Sequence, residues 1–173
     1  MNAVAAPLAT ALIASWALAI AIMDLRHRRI PNALSLGSWL VGVVHLLVWQ
    51  HSPLGESASS AWLAAGFALL VTLPGYATRQ LGAGDVKFLV GIGLLTSWPL
   101  TLICFAAGAL LGAATAVVSR NRFNVVVCLP AALRQPGSRL MNWATQDTPK
   151  RHVPFGTCLA IGLFIGLAWQ ARA

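Results

Sequence analysis

Acid is what this chain has least of. Only four of its 173 residues are acidic, namely Asp24, Glu56, Asp85 and Asp147, and charged residues of both signs make up 9%. A soluble domain carries about 25% charge, so the composition excludes an ordinary water-soluble protein with a charged surface. Cysteine is scarce too. Cys104, Cys128 and Cys158 form no Cys-x-x-Cys pair, which excludes a zinc cluster. They read as apolar fillers and a free thiol. The four histidines, His27, His45, His51 and His152, share no ligand spacing. No metal and no cofactor is therefore expected. His45 lies within an apolar run and reads as a satisfied helix residue, whereas His27 and His152 fall near the ends of runs.

Long uncharged runs are what the chain has in abundance. Hydrophobic residues make up 58% and the mean hydropathy is +0.74. Uncharged runs cover Ala3–Met23, Ala33–Gln50, Ser57–Ala77, Phe88–Val118 and Val153–Gln170, and about 20 apolar residues span a bilayer as a helix. Small residues recur inside these runs, which suits close helix approach in lipid. Trp39, Trp49, Trp98 and Trp169 fall near run ends, where interfacial aromatics gather. No basic residue precedes the first run, and it is too long for the apolar region of a signal peptide. It is expected to stay as a helix with its N-terminus outside.

The fourth run holds 31 residues, broken by Ser97-Trp98-Pro99. If it turns there, Arg26, Arg28, Arg29, Arg79, Lys87 and the six basic residues of 119–152 share one side, and only Arg172 does not. The bias of lysine and arginine toward the cytoplasm favours this split. The reading is one all-α membrane-embedded domain over 1–173. Its helices are expected near 3–23, 33–50, 57–77, 86–97, 99–118 and 153–170, with a cytoplasmic loop over 119–152. That loop has a short apolar run and Trp143, and reads as an interfacial helix or folded loop that could gate access. The net charge of +8 is explained by basic residues beside anionic lipid, and no nucleic-acid partner is expected. The fourth helix would be only about 18 Å long. Either it is tilted and buried among its neighbours, or the "GAGD" turn of Gly82–Asp85 dips into the membrane, where irregular backbone survives only along a wet cavity. Gly82 and Gly84 permit such a turn and a close backbone approach.

This topology places Asp24, at the end of the first helix, level with Asp85, at the start of the fourth. Glu56 falls on the opposite side and Asp147 in the basic loop. Taken singly, Asp24 reads as an interfacial charge or a partner of Arg26 or Arg28, and Asp85 as an acid favoured by a helix dipole. Taken together, two carboxyls at one site can share a proton and act as acid and base on a bound water. That is aspartic-peptidase chemistry, which needs neither a metal nor a nucleophilic side chain. Acids inside a membrane also form proton relays in transporters, so a small proton-coupled transporter using Asp24 and Asp85 is the alternative, and a scaffold without enzymatic activity a third.

Three motifs go further. "DLRHRRIPN" (24–32), "GAGDVK" (82–87) and "PFGTCLAIG" (154–162) resemble, in order and position, the type IV prepilin peptidase family, membrane aspartic peptidases of the GxGD type. The resemblance implies Asp24 and Asp85 as the catalytic pair, with Gly82 and Gly84 shaping the turn that presents Asp85. It implies a supporting role for Lys87, as an anchor at the headgroups or in tuning the pair. Arg26, Ile30, Pro31 and Asn32 match the first loop, where Asn32 is expected as an N-cap; the same residues also read as a plain helix–turn–helix link. Pro154 and Gly156 match a segment expected along the substrate groove, and Thr157 stands where many members have proline, a minor departure. Larger members add a domain with paired Cys-x-x-Cys motifs and methylate the new N-terminus. This chain lacks those motifs and resembles the short, peptidase-only members of Tad/Flp-type pili. The implied partners are membrane lipid and a prepilin, whose short basic leader is cut after a glycine on the cytoplasmic face of the bacterial inner membrane. Residues do not specify the pilin or the oligomeric state.

Overall fold

A computed structural model describes residues 5–121 and 154–172. Among the described residues six helices follow one another: α1 (Ala5–His27), α2 (Asn32–Trp49), α3 (Ala58–Ala77), α4 (Ala83–Leu95), α5 (Trp98–Arg120) and α6 (Phe155–Gln170). The all-helical architecture matches the expectation from the uncharged runs, and an isolated β-bridge, His51 with Ser57, closes the α2–α3 loop. Four helices, α1, α2, α3 and α5, are long and apolar enough to cross a membrane. The long uncharged run does break in two, with Thr96 and Ser97 separating α4 from α5. Pro99 sits in the first turn of α5, where its missing N–H has no partner to lose. The chain divides into two compact units, 1–109 with 154–173, and 110–153. In the second, the described residues are the end of α5 and Asn121, and Thr115 Oγ1 donates back to the Gly112 carbonyl at 2.9 Å. The expectations for the rest of 119–152, and for Asp147 and His152, lie outside the described residues.

The short α4 is the centre of the first unit. It has 13 residues, about 20 Å at 1.5 Å per residue, and Val86 and Phe88–Leu95 are all buried. A helix that is apolar on every face belongs inside a bundle. Of the two options left open by its length, burial is observed: α4 is covered by its neighbours, packing on α2 and α3 and reaching α6. Small residues make this possible. A Cβ on Gly93 would come within 2.7 Å of the Ala65 amide nitrogen, and one on Gly42 within 2.7 Å of Leu94 Cβ. On α1 the buried residues Ile13, Ala17, Ile20, Ala21 and Asp24 recur at helical spacing and form one stripe, and α1 packs on α6. Trp16 links α1 to α2 and α4: its Nε1 donates to the Leu34 carbonyl at 3.0 Å, and its ring meets Phe88 edge-on at 5.1 Å.

One expectation holds only in part. His45 interacts with the Ser52 backbone, but its Nε2 is buried with no hydrogen-bond partner among the described residues. Its ring instead lies against Trp49 at 4.6 Å and His51 at 5.3 Å. An unpaired buried donor or acceptor costs about 1–3 kcal/mol. His45→Phe keeps the ring contact and removes the orphan, so it should raise the thermal midpoint in detergent. A lower midpoint would show that a water or lipid group satisfies Nε2.

Candidate active site

The site is built where α1 ends, α4 begins and α6 begins. Asp24 lies in the last turn of α1 and is 6% exposed, the lone charged residue among the buried ones described. Burying a carboxylate is costly unless donors meet it. Two do: Asp24 Oδ2 accepts from the Thr157 amide at 2.9 Å and from Thr157 Oγ1 at 3.1 Å. Thr157 is the third residue of α6, and the N-cap, Pro154, makes no side-chain cap bond. First-turn amides have no partner within their own helix. Asp24 therefore supplies from another helix the acceptor that an N-cap side chain usually provides.

Asp85 is held in a parallel way. It occupies the third position of α4, is half-buried, and its Oδ2 accepts from the Gly82 amide at 3.0 Å. This is one half of a capping box; the N-cap, Gly82, has no side chain to return the bond. Gly82 has φ −80° and ψ 150°, and Gly55 is the one described glycine with positive φ. Of the turn and the close backbone approach expected of Gly82 and Gly84, the close approach is found at Gly84, and neither glycine has a positive φ. Helix α4 begins at Ala83, three residues before the expected start at 86, and Gly84 lies inside its first turn. Gly84 is needed for space: a Cβ there would sit 2.9 Å from Ile30 Cβ.

Ile30 joins the two halves. A Cβ on Gly156 would lie 2.9 Å from Ile30 Cδ1 and 3.1 Å from Asp24 Oδ2. The same isoleucine therefore packs against the glycine preceding Asp85 and against the glycine beside Asp24. The link from α1 to α2 aims it there. Arg28 turns the chain with φ 53°, its amide donating to the Asp24 carbonyl at 2.9 Å. Pro31 then holds φ −61° as the N-cap of α2, and a residue before proline is pushed to extended backbone.

The remaining expected residues divide. Asn32 is not an N-cap; it is the first residue of α2, and its Oδ1 accepts from Lys87 Nζ at 2.9 Å. The Lys87 carbonyl accepts from Trp39 Nε1 at 2.7 Å. Lys87 thus ties α4 to α2. Lys87→Ala should cost no more than about 1 kcal/mol, because the Nζ bond is exposed and in competition with water; thermal unfolding in detergent would show it. Arg26 is exposed at the end of α1, and Pro154 caps α6. A cleft of about 240 Å³ borders this region, lined by Trp39, Leu73, Tyr76, Ala83, Val86 and Lys87 and by neither carboxyl. Glu56 lies beyond the other end of α2, in the α2–α3 loop, about 27 Å of helix away. No cluster of three or more metal-ligating side chains occurs among the described residues.

Thr157 is the residue that sequence reasoning missed. Treated as a minor departure from a proline, it uses both donors that proline lacks. The available signal was its place next to Gly156 at the start of a helix, but its partner lies 133 residues away.

A profile of the Type IV leader peptidase family matches residues 11–117. This chain belongs to that family. The match spans more than half of the chain and includes Asp24, Ile30, Gly84, Asp85 and Lys87, and ends before α6. No curated protein and no solved structure matches. As a Type IV leader peptidase the chain is a peptidase and a membrane protein, and its substrate in general terms is a prepilin.

Proposed function

We propose that this leader peptidase is an aspartic endopeptidase, with Asp24 and Asp85 as its acid–base pair. It removes the basic leader of type IV-like prepilins, of the Tad/Flp kind, at the cytoplasmic boundary of the bacterial inner membrane. The observation that carries the reading is the convergence of two distant segments on Ile30: the start of α4, which bears Asp85, and Gly156 of α6, which lies against the Asp24 carboxyl. Each carboxyl is anchored through Oδ2 by a backbone amide at a helix start, so neither is a loose surface charge. Preorganised groups of this kind lower the cost of reaching a transition state.

In the reaction, the ionised carboxyl takes a proton from water as the water attacks the scissile carbonyl. The protonated carboxyl gives its proton to the carbonyl oxygen, and the proton taken from water later goes to the leaving amine. The peptide bond must be unwound to be attacked, because a helical carbonyl is already bonded within the helix. A site at the membrane boundary receives the apolar pilin segment from lipid and the leader from water. Lys87 and Asn32 hold the start of α4 against α2, and Gly84 and Gly156 allow the close packing around Ile30, while Gly82 is the N-cap from which α4 starts.

Purified protein in detergent, mixed with a Tad/Flp-type prepilin, should shorten it by the mass of the leader, with no added metal and in the presence of chelator. An intact precursor, together with Asp24- and Asp85-dependent proton uptake into vesicles, would favour the relay reading instead.

A further inference from the structure

We infer that Thr157 is a positioning residue for Asp24, fixing through its hydroxyl which carboxyl oxygen meets the substrate. The inference rests on the aspartic-peptidase reading and goes beyond it. Two donors from one residue, the amide and Oγ1, converge on a single oxygen, Oδ2. An amide alone would satisfy that oxygen while letting the carboxyl plane rotate about the Cβ–Cγ bond. A second donor from a different direction removes this freedom and assigns Oδ1 to the water. Thr157 is 9% exposed, so bulk water is poorly placed to substitute for the hydroxyl.

The hydroxyl also has a second acceptor. Thr157 Oγ1 lies 3.3 Å from the Ala21 carbonyl, and a hydroxyl has only one proton to donate. The two acceptors compete for that proton, and the Asp24 oxygen is both the nearer at 3.1 Å and the charged one. Gly156 completes the arrangement, since a side chain there would press on Oδ2 and Ile30 together. Thr157 touches no reacting atom in this scheme; it acts through Asp24.

The test compares Thr157→Val, which keeps shape and amide but loses the hydroxyl, with Thr157→Ser, which keeps both donors. Cleavage of a prepilin is followed at varied substrate concentration, with thermal midpoints measured alongside. Thr157→Val should lower kcat by roughly ten- to a hundredfold, the scale of a misplaced catalytic group, with KM within about twofold as expected for loss of an interaction used only in the transition state. Thr157→Ser should recover most of that loss. The inference is overturned if Thr157→Val keeps wild-type kcat, if serine and valine fall equally, or if the loss follows a fall in thermal midpoint. Asp24→Asn serves as the control. Full cleavage by Asp24→Asn would sink the aspartic reading itself, whereas an inactive Asp24→Asn beside an unaffected Thr157→Val sinks only the role given to Thr157.

Discussion

Asp24→Asn and Asp85→Asn should each lower prepilin cleavage by roughly 10³-fold or more while the protein still inserts and folds. Proton transfer by one positioned group contributes about 10²–10⁴-fold, and a pair acting as a unit loses nearly everything with either member. The double variant should therefore be no more than about tenfold worse than the worse single one. That non-additivity separates a dyad from two independent supports, whose losses would multiply. The two variants should differ in stability. Asparagine at 24 is buried and can present its amide nitrogen to the Thr157 donors, leaving them unpaired at about 1–3 kcal/mol. Asparagine at 85 sits in a half-buried first turn and can still accept from the Gly82 amide, so its cost should be below about 1 kcal/mol. Full cleavage after either substitution, measured on protein of native thermal midpoint, would remove that residue from the chemistry.

The physical reason Asp24 and Asp85 stand out in the sequence is their scarcity. A chain with four acids spread over 173 residues makes each of them conspicuous, and helix order leads to the expectation that these two share one level. The helices were legible for a similar reason, because lipid demands uncharged runs of a fixed length. What could not be read was anything decided by contact between segments. Asn32 looks like a cap because its type favours that position, yet Pro31 takes the N-cap and Lys87 claims the Asn32 side chain. Glycine at 84 suggests either a turn or a close backbone approach, and only the contact with Ile30 distinguishes them. The start of α4 lies earlier than the sequence suggests because Gly82, a tolerated N-cap, offers no side-chain acceptor, and the cap bond comes instead from within the turn, from Asp85. The isolated Nε2 of His45 carries no signature along the chain.

The seam around Ile30 makes the second large prediction. Alanine at position 84 gains up to about 1 kcal/mol over glycine in helix propensity, so a surface argument says that Gly84→Ala stabilises. Packing says otherwise. The new Cβ would lie 2.9 Å from Ile30 Cβ, with Cγ1 at 3.4 Å and Cδ1 at 3.5 Å. Both atoms in the closest pair attach directly to backbone, so no rotamer change relieves them; either the first turn of α4 or the 28–31 link must move. Overpacking of this kind costs typically about 1–3 kcal/mol, which outweighs the propensity gain and leaves a modest net loss of stability. The larger effect should fall on cleavage. Asp85 is the next residue, and a shift of about 1 Å at a reacting group can cost about 10²-fold. Ile30→Ala removes the atoms beyond Cβ but not Cβ itself, so in the Gly84→Ala background it should restore activity only in part, with a coupling of about 0.5–3 kcal/mol in a double-mutant cycle. Gly156→Ala should behave more mildly toward Ile30, because its clash at 2.9 Å is with the mobile Cδ1, and Ile30→Val should relieve it. The remaining approach to Asp24 Oδ2 at 3.1 Å has no such relief, so Gly156→Ala should stay impaired even beside Ile30→Val. Wild-type cleavage by Gly84→Ala, or coupling near zero between positions 30 and 84, would mean that the isoleucine fills space at this junction without setting the position of either carboxyl.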